Sequence, residues 1–127
     1  MELQVRAWMA LASLSGLMAV AAGAFGAHGV ADPQAKAWLQ TGAQYQLAHA
    51  LAVFGCYVVW RAGGGAAQVA AWLFLAGGFL FGGSLYLMAL GAPRWFGAIT
   101  PIGGGLMLLA WALLAYATLT GPRTTLV

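Results

Sequence analysis

The sequence predicts an all-α integral membrane protein, an up-down four-helix bundle, and three observations carry this prediction. Hydrophobic residues make up 63% of the 127-residue chain and charged residues only 6%, whereas about a quarter of a typical soluble chain is charged. The five lysines and arginines stand singly along the chain. Each apolar stretch between them is long enough for one span of about 20 residues, and none is long enough for two.

Four helices are predicted within a single transmembrane domain. They cover residues 7–27, 33–60, 66–90 and 99–119 of a domain that spans 1–127. Helices are favoured over barrel strands because runs such as 69–76 are continuously apolar, while barrel strands alternate apolar and polar residues. The first span also resembles a signal peptide. Its apolar run continues through Phe25, which favours a retained span.

The connections between the predicted helices are short and carry turn signals. Asp32 can cap the second helix, and Pro33 suits its first position. The segment 61–66 is a glycine-rich turn, and the segment 91–97 holds a proline and an interfacial tryptophan. Short connections favour an antiparallel arrangement of neighbouring helices.

Four spans place both termini on the same side of the membrane. That side carries Arg6, Arg61 and Arg123, and the opposite side carries Lys36 and Arg94. The positive-inside rule therefore favours cytoplasmic termini, by a margin of one cation.

The net charge and the single cysteine limit the partners and the chemistry that we expect for this chain. The net charge is +3, but the basic residues form no patch that could follow a phosphate backbone, so nucleic acid is not an expected partner. Isolated cations between apolar runs are typical of membrane-interface anchors, which makes membrane lipid the expected surrounding. Cys56 is the one cysteine, and a small buried hydrophobic residue is the simplest interpretation of it.

Small residues within the spans indicate close helix packing. Gly78 and Gly82 form a GxxxG pattern, and Gly23 and Gly26 end small-xxx-small patterns in the first span. Such patterns let helix backbones approach closely in lipid. Packing within the chain and a homodimer face are both consistent with them.

Polar side chains in the spans gather in one half of the predicted bundle. An up-down topology brings them to the side of the first and third connections, where they define a hypothetical ligand-binding pocket or polar network. Its members are His28, Tyr45, His49, Ser84, Tyr86 and Thr100. Gln44 and Gln46 lie at a similar depth, and Thr41, Tyr45 and His49 share one helix face at intervals of four residues. The alternative for each residue is a structural one, a hydrogen bond to a neighbouring helix or a place at the water interface.

Metal, cofactor and enzyme interpretations find little support. No clustered His, Cys or Met motif is present, and His28 lies shallower than His49, so no metal or haem is expected. Glu2 and Asp32 are the only acids and lie outside the spans. Ser84 with His49 is conceivable as a nucleophile and base, but nothing supplies a third group. We therefore expect no cofactor and no enzymatic activity.

Four sequence blocks resemble a known family of small membrane proteins. They are Ala22-Gly-Ala-Phe-Gly-Ala-His-Gly29, Tyr45-Gln-Leu-Ala-His-Ala50, Gly82-Gly-Ser-Leu-Tyr86 and Gly97-Ala-Ile-Thr-Pro-Ile-Gly-Gly104. In this order they are similar to the family called domain of unknown function 423, or UPF 0382. The resemblance implies a bacterial inner-membrane protein of about four helices and implies no reaction or catalytic residue.

Three functional hypotheses follow. The first is a structural or assembly protein that packs against itself or a larger membrane complex. The second is a binder of lipid or another amphiphile in the polar pocket at the non-cytoplasmic half. The third is a channel or transporter formed as an oligomer, because four helices leave a single copy little room for a pore.

Overall fold

The computed structural model describes residues 2–122, and these fold into helices joined by short connections. The four long helices are α1 (Glu2–His28), α2 (Pro33–Arg61), α3 (Ala67–Ala89) and α4 (Thr100–Thr120). A short 3₁₀ helix, Arg94–Ala98, precedes α4. The predicted all-α four-helix fold is therefore confirmed, and the 3₁₀ helix is an addition that the sequence patterns did not predict.

The helix ends follow local chemistry. Asp32 caps α2, because its carboxylate accepts a hydrogen bond from the Ala35 amide at 2.8 Å, and Pro33 is the first helical residue. Gly63 and Gly91 adopt positive φ values of 97° and 106° in the turns that follow α2 and α3, a conformation that favours glycine. The helix α1 begins at Glu2, earlier than the predicted residue 7, because backbone hydrogen bonding continues past the point where the apolar run ends.

The helices are arranged around a central pair. α2 and α3 pack along each other, α1 packs mainly on α2, and α4 packs mainly on α3. Within residues 2–122, α1 and α4 do not contact each other, and α4 touches α2 only lightly. The light contact between α2 and α4 leaves an open groove between these two helices.

Three helical segments are long and apolar enough to cross a membrane, namely Glu2–His28, Ala67–Ala89 and Arg94–Thr120. The helix α2 is not among them, because it carries several glutamines, Lys36 and His49. It must cross nonetheless when its neighbours do, since short connections join it to α1 and α3. Its 29 residues rise about 44 Å, more than the bilayer core of about 30 Å.

Tryptophans mark the two membrane boundaries on α2. Trp38 and Trp60 lie 22 residues apart, which corresponds to about 33 Å of helix. This distance matches the hydrocarbon core of a bilayer, and tryptophan is enriched at both interfaces. His49, midway between them, therefore lies near the bilayer centre.

The glycines identified in the sequence face other helices of the same chain. A Cβ at Gly26 would lie 2.9 Å from Leu39 Cβ, and one at Gly23 would lie 3.4 Å from Ala43 Cβ, so both face α2. Gly78 and Gly82 also face α2, where the nearest atoms belong to Gln46. Within residues 2–122, the two glycines of the GxxxG pattern therefore pack against another helix of the same bundle.

A close backbone contact joins α3 to α4 through glycines outside that pattern. A Cβ at Gly103 would lie 2.6 Å from the Phe81 backbone nitrogen and 2.8 Å from the Gly77 carbonyl oxygen. Backbone atoms cannot move aside as a side chain does. Gly77 and Gly103 therefore set the distance between α3 and α4.

The apolar core lies in the half of the bundle nearest Glu2. Its largest buried side chains are Trp8 of α1, Val53 and Cys56 of α2, and Phe74 of α3. Alanines fill the spaces between these side chains, which allows the helices to approach closely. At the edge of this half, the Gln68 amide donates to the Gln4 side-chain oxygen at 2.8 Å.

Candidate functional site

The polar half of the bundle, on the side of the α1–α2 and α3–α4 connections, contains three hydrogen bonds between helices. Each joins a different pair: Tyr86 with Gln46, Ser84 with Thr100, and Trp111 with His49. Four of the six predicted site residues take part in these bonds, namely His49, Ser84, Tyr86 and Thr100. Tyr45 contacts His49 and Phe81 through its ring. The six residues do not line a single pocket.

Both ring nitrogens of His49 have a partner, one within α2 and one on α4. Its Nδ1 lies 2.6 Å from the Tyr45 carbonyl oxygen, which can only accept a hydrogen bond. The Trp111 indole Nε1 lies 3.0 Å from His49 Nε2 and can only donate. The two partners therefore require a neutral imidazole with its proton on Nδ1, and both nitrogens are satisfied.

An aromatic cluster surrounds His49. The Tyr45 ring is stacked with the imidazole at 6.2 Å between centroids, and the Phe74 and Trp111 rings meet edge to face at 4.8 Å. Phe81 of α3 contacts Tyr45 at 4.9 Å. His49 is 8% exposed, while Tyr45 is 47% exposed, so the cluster runs from the bundle interior to its lipid-facing surface.

Gln46 and Tyr86 form a reciprocal contact between α2 and α3. The Tyr86 hydroxyl donates to Gln46 Oε1 at 2.7 Å. The Tyr86 ring fills the space beside Gly42 of α2, and the Gln46 side chain fills the space beside Gly82 of α3. Each side chain thus occupies the gap left by a glycine one helical turn from its partner. Gln46 is fully buried, and its Nε2 has no partner among the described residues.

Ser84 and Thr100 join α3 to the first turn of α4. Their hydroxyl oxygens lie 2.6 Å apart, and the Ser84 hydroxyl also lies 3.0 Å from the Phe81 carbonyl oxygen. The Ser84 hydroxyl thus has a structural partner on each side. His49 is not one of its partners, so the conceivable nucleophile–base pair does not form in this structure.

His28 lies apart from the other five predicted residues. It is the last residue of α1 and is exposed. It takes part in none of the three inter-helix hydrogen bonds. Its position fits a residue at the water interface, the alternative that the sequence left open.

A mainly apolar cavity of about 630 Å³ opens between α2 and α4 beside the His49 cluster. We call it the deep cavity. Tyr45 and His49 form one wall, Phe81 forms the floor, and the opposite wall belongs to α4. The α4 wall consists of Pro101, Gly104, Gly105, Met107, Leu108 and Trp111. Its size falls within the range of small-molecule sites.

Two residues of this site, Gln46 and Trp111, are not among the six that the sequence predicts. The sequence indicates only the depth of Gln46 and gives no prediction for Trp111. An indole in the middle of a span, away from both interfaces, is the signal that could have identified Trp111, because its N–H needs a partner in lipid. The pairing itself depends on the rotation of α4, which the sequence does not give.

Residues 2–122 contain no group of three or more His, Cys, Asp or Glu side chains that could hold a metal ion. Cys56 is buried in the apolar half, about two helical turns after His49 on α2. In the polar half, the polar side chains mainly form hydrogen bonds with one another. Hydrogen bonds of this kind hold helices together.

These features define a polytopic, all-helical membrane protein with a polar inter-helix network and a lateral groove. Comparison with known proteins then identifies its family. The chain matches the family model described as protein of unknown function (DUF423) over residues 22–104, and it belongs to that family. The resemblance seen in the four sequence blocks is therefore confirmed.

Relatives extend over nearly the whole chain. A UPF0382 membrane protein of Haemophilus influenzae is 39% identical over 114 residues, covering 87% of this chain and 92% of the relative. The UPF0382 membrane protein YwdK of Bacillus subtilis is 36% identical, covering 89% and 96%. The UPF0382 inner membrane protein YgdD of Escherichia coli is 38% identical, covering 86% of each chain. No solved structure matches the chain.

Proposed function

We propose that this protein binds the hydrocarbon chain of a membrane amphiphile in the groove between α2 and α4. The deep cavity carries this proposal. It is mainly apolar and opens at the level of the bilayer's hydrocarbon. Its polar neighbours, His49 and Trp111, satisfy each other. An occupant therefore needs no polar group at that depth.

The walls of the groove combine open space with broad aromatic surfaces. Gly104 and Gly105 leave the α4 wall without bulk, while Tyr45, Phe81 and Trp111 supply broad aromatic surfaces. Hydrocarbon in such a groove gains dispersion contacts with rigid walls that it lacks among mobile lipid tails. The Tyr45 hydroxyl has no hydrogen-bond partner among residues 2–122 and can bond a polar group of the same molecule.

Filling the groove tests this proposal. A Cβ at Gly105 meets no atom within 4 Å, so Gly105→Leu occupies the deep cavity without disturbing the helices. We expect the purified variant to lose the lipid that the wild-type protein retains, as measured by native mass spectrometry. Gly16→Leu is the matched control, because Gly16 has equal space on α1, which does not contact α4. Equal lipid retention by both variants would contradict the proposal.

A second candidate function, assembly with another membrane protein or a second copy, is favoured by the outer face of α2. Gln40, Thr41 and Gln44 are exposed there and have no hydrogen-bond partner among residues 2–122. Gln44 lies about 9 Å along the helix from Trp38 toward the bilayer centre. Polar side chains at that depth are stabilised by bonds across a helix interface. Ala48, one turn further, would allow close approach.

Cysteine crosslinking tests the assembly hypothesis. In a Cys56→Ser background, Ala48→Cys is expected to form a covalent dimer in native membranes if α2 faces a second copy. Ala24→Cys on the exposed face of α1 is the control. A crosslink of Ala48→Cys to a different protein supports a larger complex, and no crosslink at all counts against assembly through this face.

We also propose that both termini face the cytoplasm and that the protein is not an enzyme. Arg6 and Arg61 lie on the terminal side, and Lys36 and Arg94 lie on the other; Arg123 lies outside the described residues. The positive-inside rule supports this orientation. The pairing of Ser84 with Thr100, and of His49 with Trp111, supports a binding or structural role over catalysis.

A further inference from the structure

A second cavity continues the groove toward the membrane surface. It has a volume of about 430 Å³, and we call it the interfacial cavity. Trp38 of α2, Met88 of α3 and Thr100 of α4 are among its lining residues. Phe81 and Pro101 line both cavities, so the two adjoin along α4.

The length of the combined groove matches one leaflet. Trp38 and His49 lie 11 residues apart on α2, or about 16 Å along the helix. Half of a bilayer's hydrocarbon core is about 15 Å thick. A lipid chain that starts at the level of Trp38 therefore ends near the aromatic cluster at the bilayer centre.

A cation stands at the interfacial end of this groove. The Arg94 guanidinium carbon lies 5.9 Å from the centre of the Trp38 ring, a cation–π arrangement that holds the side chain at the groove entrance. Arg94 is itself exposed. Asp32, the one carboxylate on this side of the bundle, is engaged in capping α2. The entrance thus presents a positive charge at the level of lipid headgroups.

We infer that the groove selects an anionic phospholipid, with its phosphate at Arg94 and one acyl chain in the two cavities. This inference rests on the proposed function, because it names the headgroup for the chain that occupies the deep cavity. Two features of this structure carry it, namely the adjacency of the two cavities and the charge complementarity at their interfacial end. Guanidinium groups bind phosphate oxygens with good geometry.

Competition between two lipids tests the inference. The protein is reconstituted in vesicles of equal parts phosphatidylglycerol and phosphatidylcholine with identical chains, and the lipids retained after extraction are measured by native mass spectrometry. One favourable cation near a membrane surface contributes about 1 kcal/mol, so we expect retention to favour phosphatidylglycerol about fivefold. Arg94→Gln is expected to bring the ratio close to one, and Arg94→Lys to preserve most of the preference.

Arg61→Gln is the matched control, because Arg61 lies at the opposite interface, and it is expected to leave the ratio unchanged. Equal retention of the two lipids by the wild-type protein would overturn the headgroup assignment. An unchanged ratio in Arg94→Gln, or an equal loss in Arg61→Gln, would do the same. These outcomes are distinct from failure of the proposed function, in which Gly105→Leu retains as much of both lipids as the wild-type protein.

Discussion

At the scale of single residues, the polar side chains in the spans mainly act as connectors between helices. His49, Gln46 and Ser84 each bond a residue of a different helix. In lipid these bonds replace the hydrogen bonds to water that a polar group would otherwise lose, although each adds only about 0.6 kcal/mol on average to stability. The network therefore defines which helix faces meet, while packing supplies most of the stability.

Removal of the Trp111 hydrogen bond should weaken the bundle. Trp111→Phe leaves His49 Nε2 without its donor while retaining an aromatic ring in the groove wall. We expect a loss of about 1 kcal/mol in the free energy of unfolding, measured by titration with a denaturing detergent. Trp95→Phe is the control, since Trp95 is 65% exposed and stacks on Phe96. Equal stability of the two variants would show that the bond contributes nothing.

The contact between Gln46 and Tyr86 should behave as a coupled pair. Either Gln46→Leu or Tyr86→Phe leaves the remaining polar group buried without that partner, which destabilises by about 1–3 kcal/mol. The double variant removes both groups, so its loss should be smaller than the sum of the two single losses. A double-mutant cycle of unfolding free energies measures this difference. Strictly additive losses would mean that the two side chains do not interact.

At the scale of helices, glycines decide how closely each pair packs. The sequence predicted packing through Gly23, Gly26, Gly78 and Gly82, and these residues do face α2. The close backbone contact between Gly77 and Gly103 was not predicted. Motif spacing identifies a glycine-rich face, but several neighbouring glycines satisfy it equally well. Which of them meets a backbone depends on the rotation and crossing angle of the helices.

Adjacent glycines on α3 should therefore differ sharply in tolerance. A Cβ at Gly77 would lie 2.8 Å from the Gly103 carbonyl oxygen, whereas one at Gly78 would meet only Gln46 Cγ at 3.9 Å. Gly77→Ala should destabilise by about 1–3 kcal/mol through overpacking. Gly78→Ala should change stability by no more than about 1 kcal/mol, because alanine fits there and favours the helix. Detergent-induced unfolding of both variants tests the contrast, and equal losses would refute it.

At the scale of the whole molecule, the arrangement around α2 and α3 leaves α2 exposed on two sides. The helix α2 is the least apolar of the four, yet its connections require it to cross with its neighbours. Two of its polar side chains bond neighbouring helices, Gln46 through its Oε1 to α3 and His49 through its Nε2 to α4. The side of α2 next to α4 forms the groove, and its outer face carries Gln44.

Labelling from one side of the membrane tests the topology and orientation together. Single cysteines at Ala31 and Ala92, in a Cys56→Ser background, should react with an impermeant maleimide in intact cells if the termini are cytoplasmic. Gly65→Cys, in the turn between α2 and α3, should react only after permeabilisation. Gly65 has free space for a side chain and is exposed. The reverse pattern would invert the orientation, and labelling of all three from outside would exclude an up-down arrangement.

Composition and local sequence patterns predict that lipid surrounds this protein, that it has four long helices, that α2 starts at Pro33 and that one half of the bundle holds the polar residues. These features depend on composition and on local chemistry, such as the Asp32 cap, which each segment carries independently. The assembled bundle alone shows that four of the six predicted site residues divide among three inter-helix contacts, that Tyr45 stacks on His49, and that His28 lies apart. The same holds for the pairing of Trp111 with His49 and the groove beside them. Such features depend on helix rotation and on the distances between backbones, and small differences in packing fix these only when all four helices are assembled.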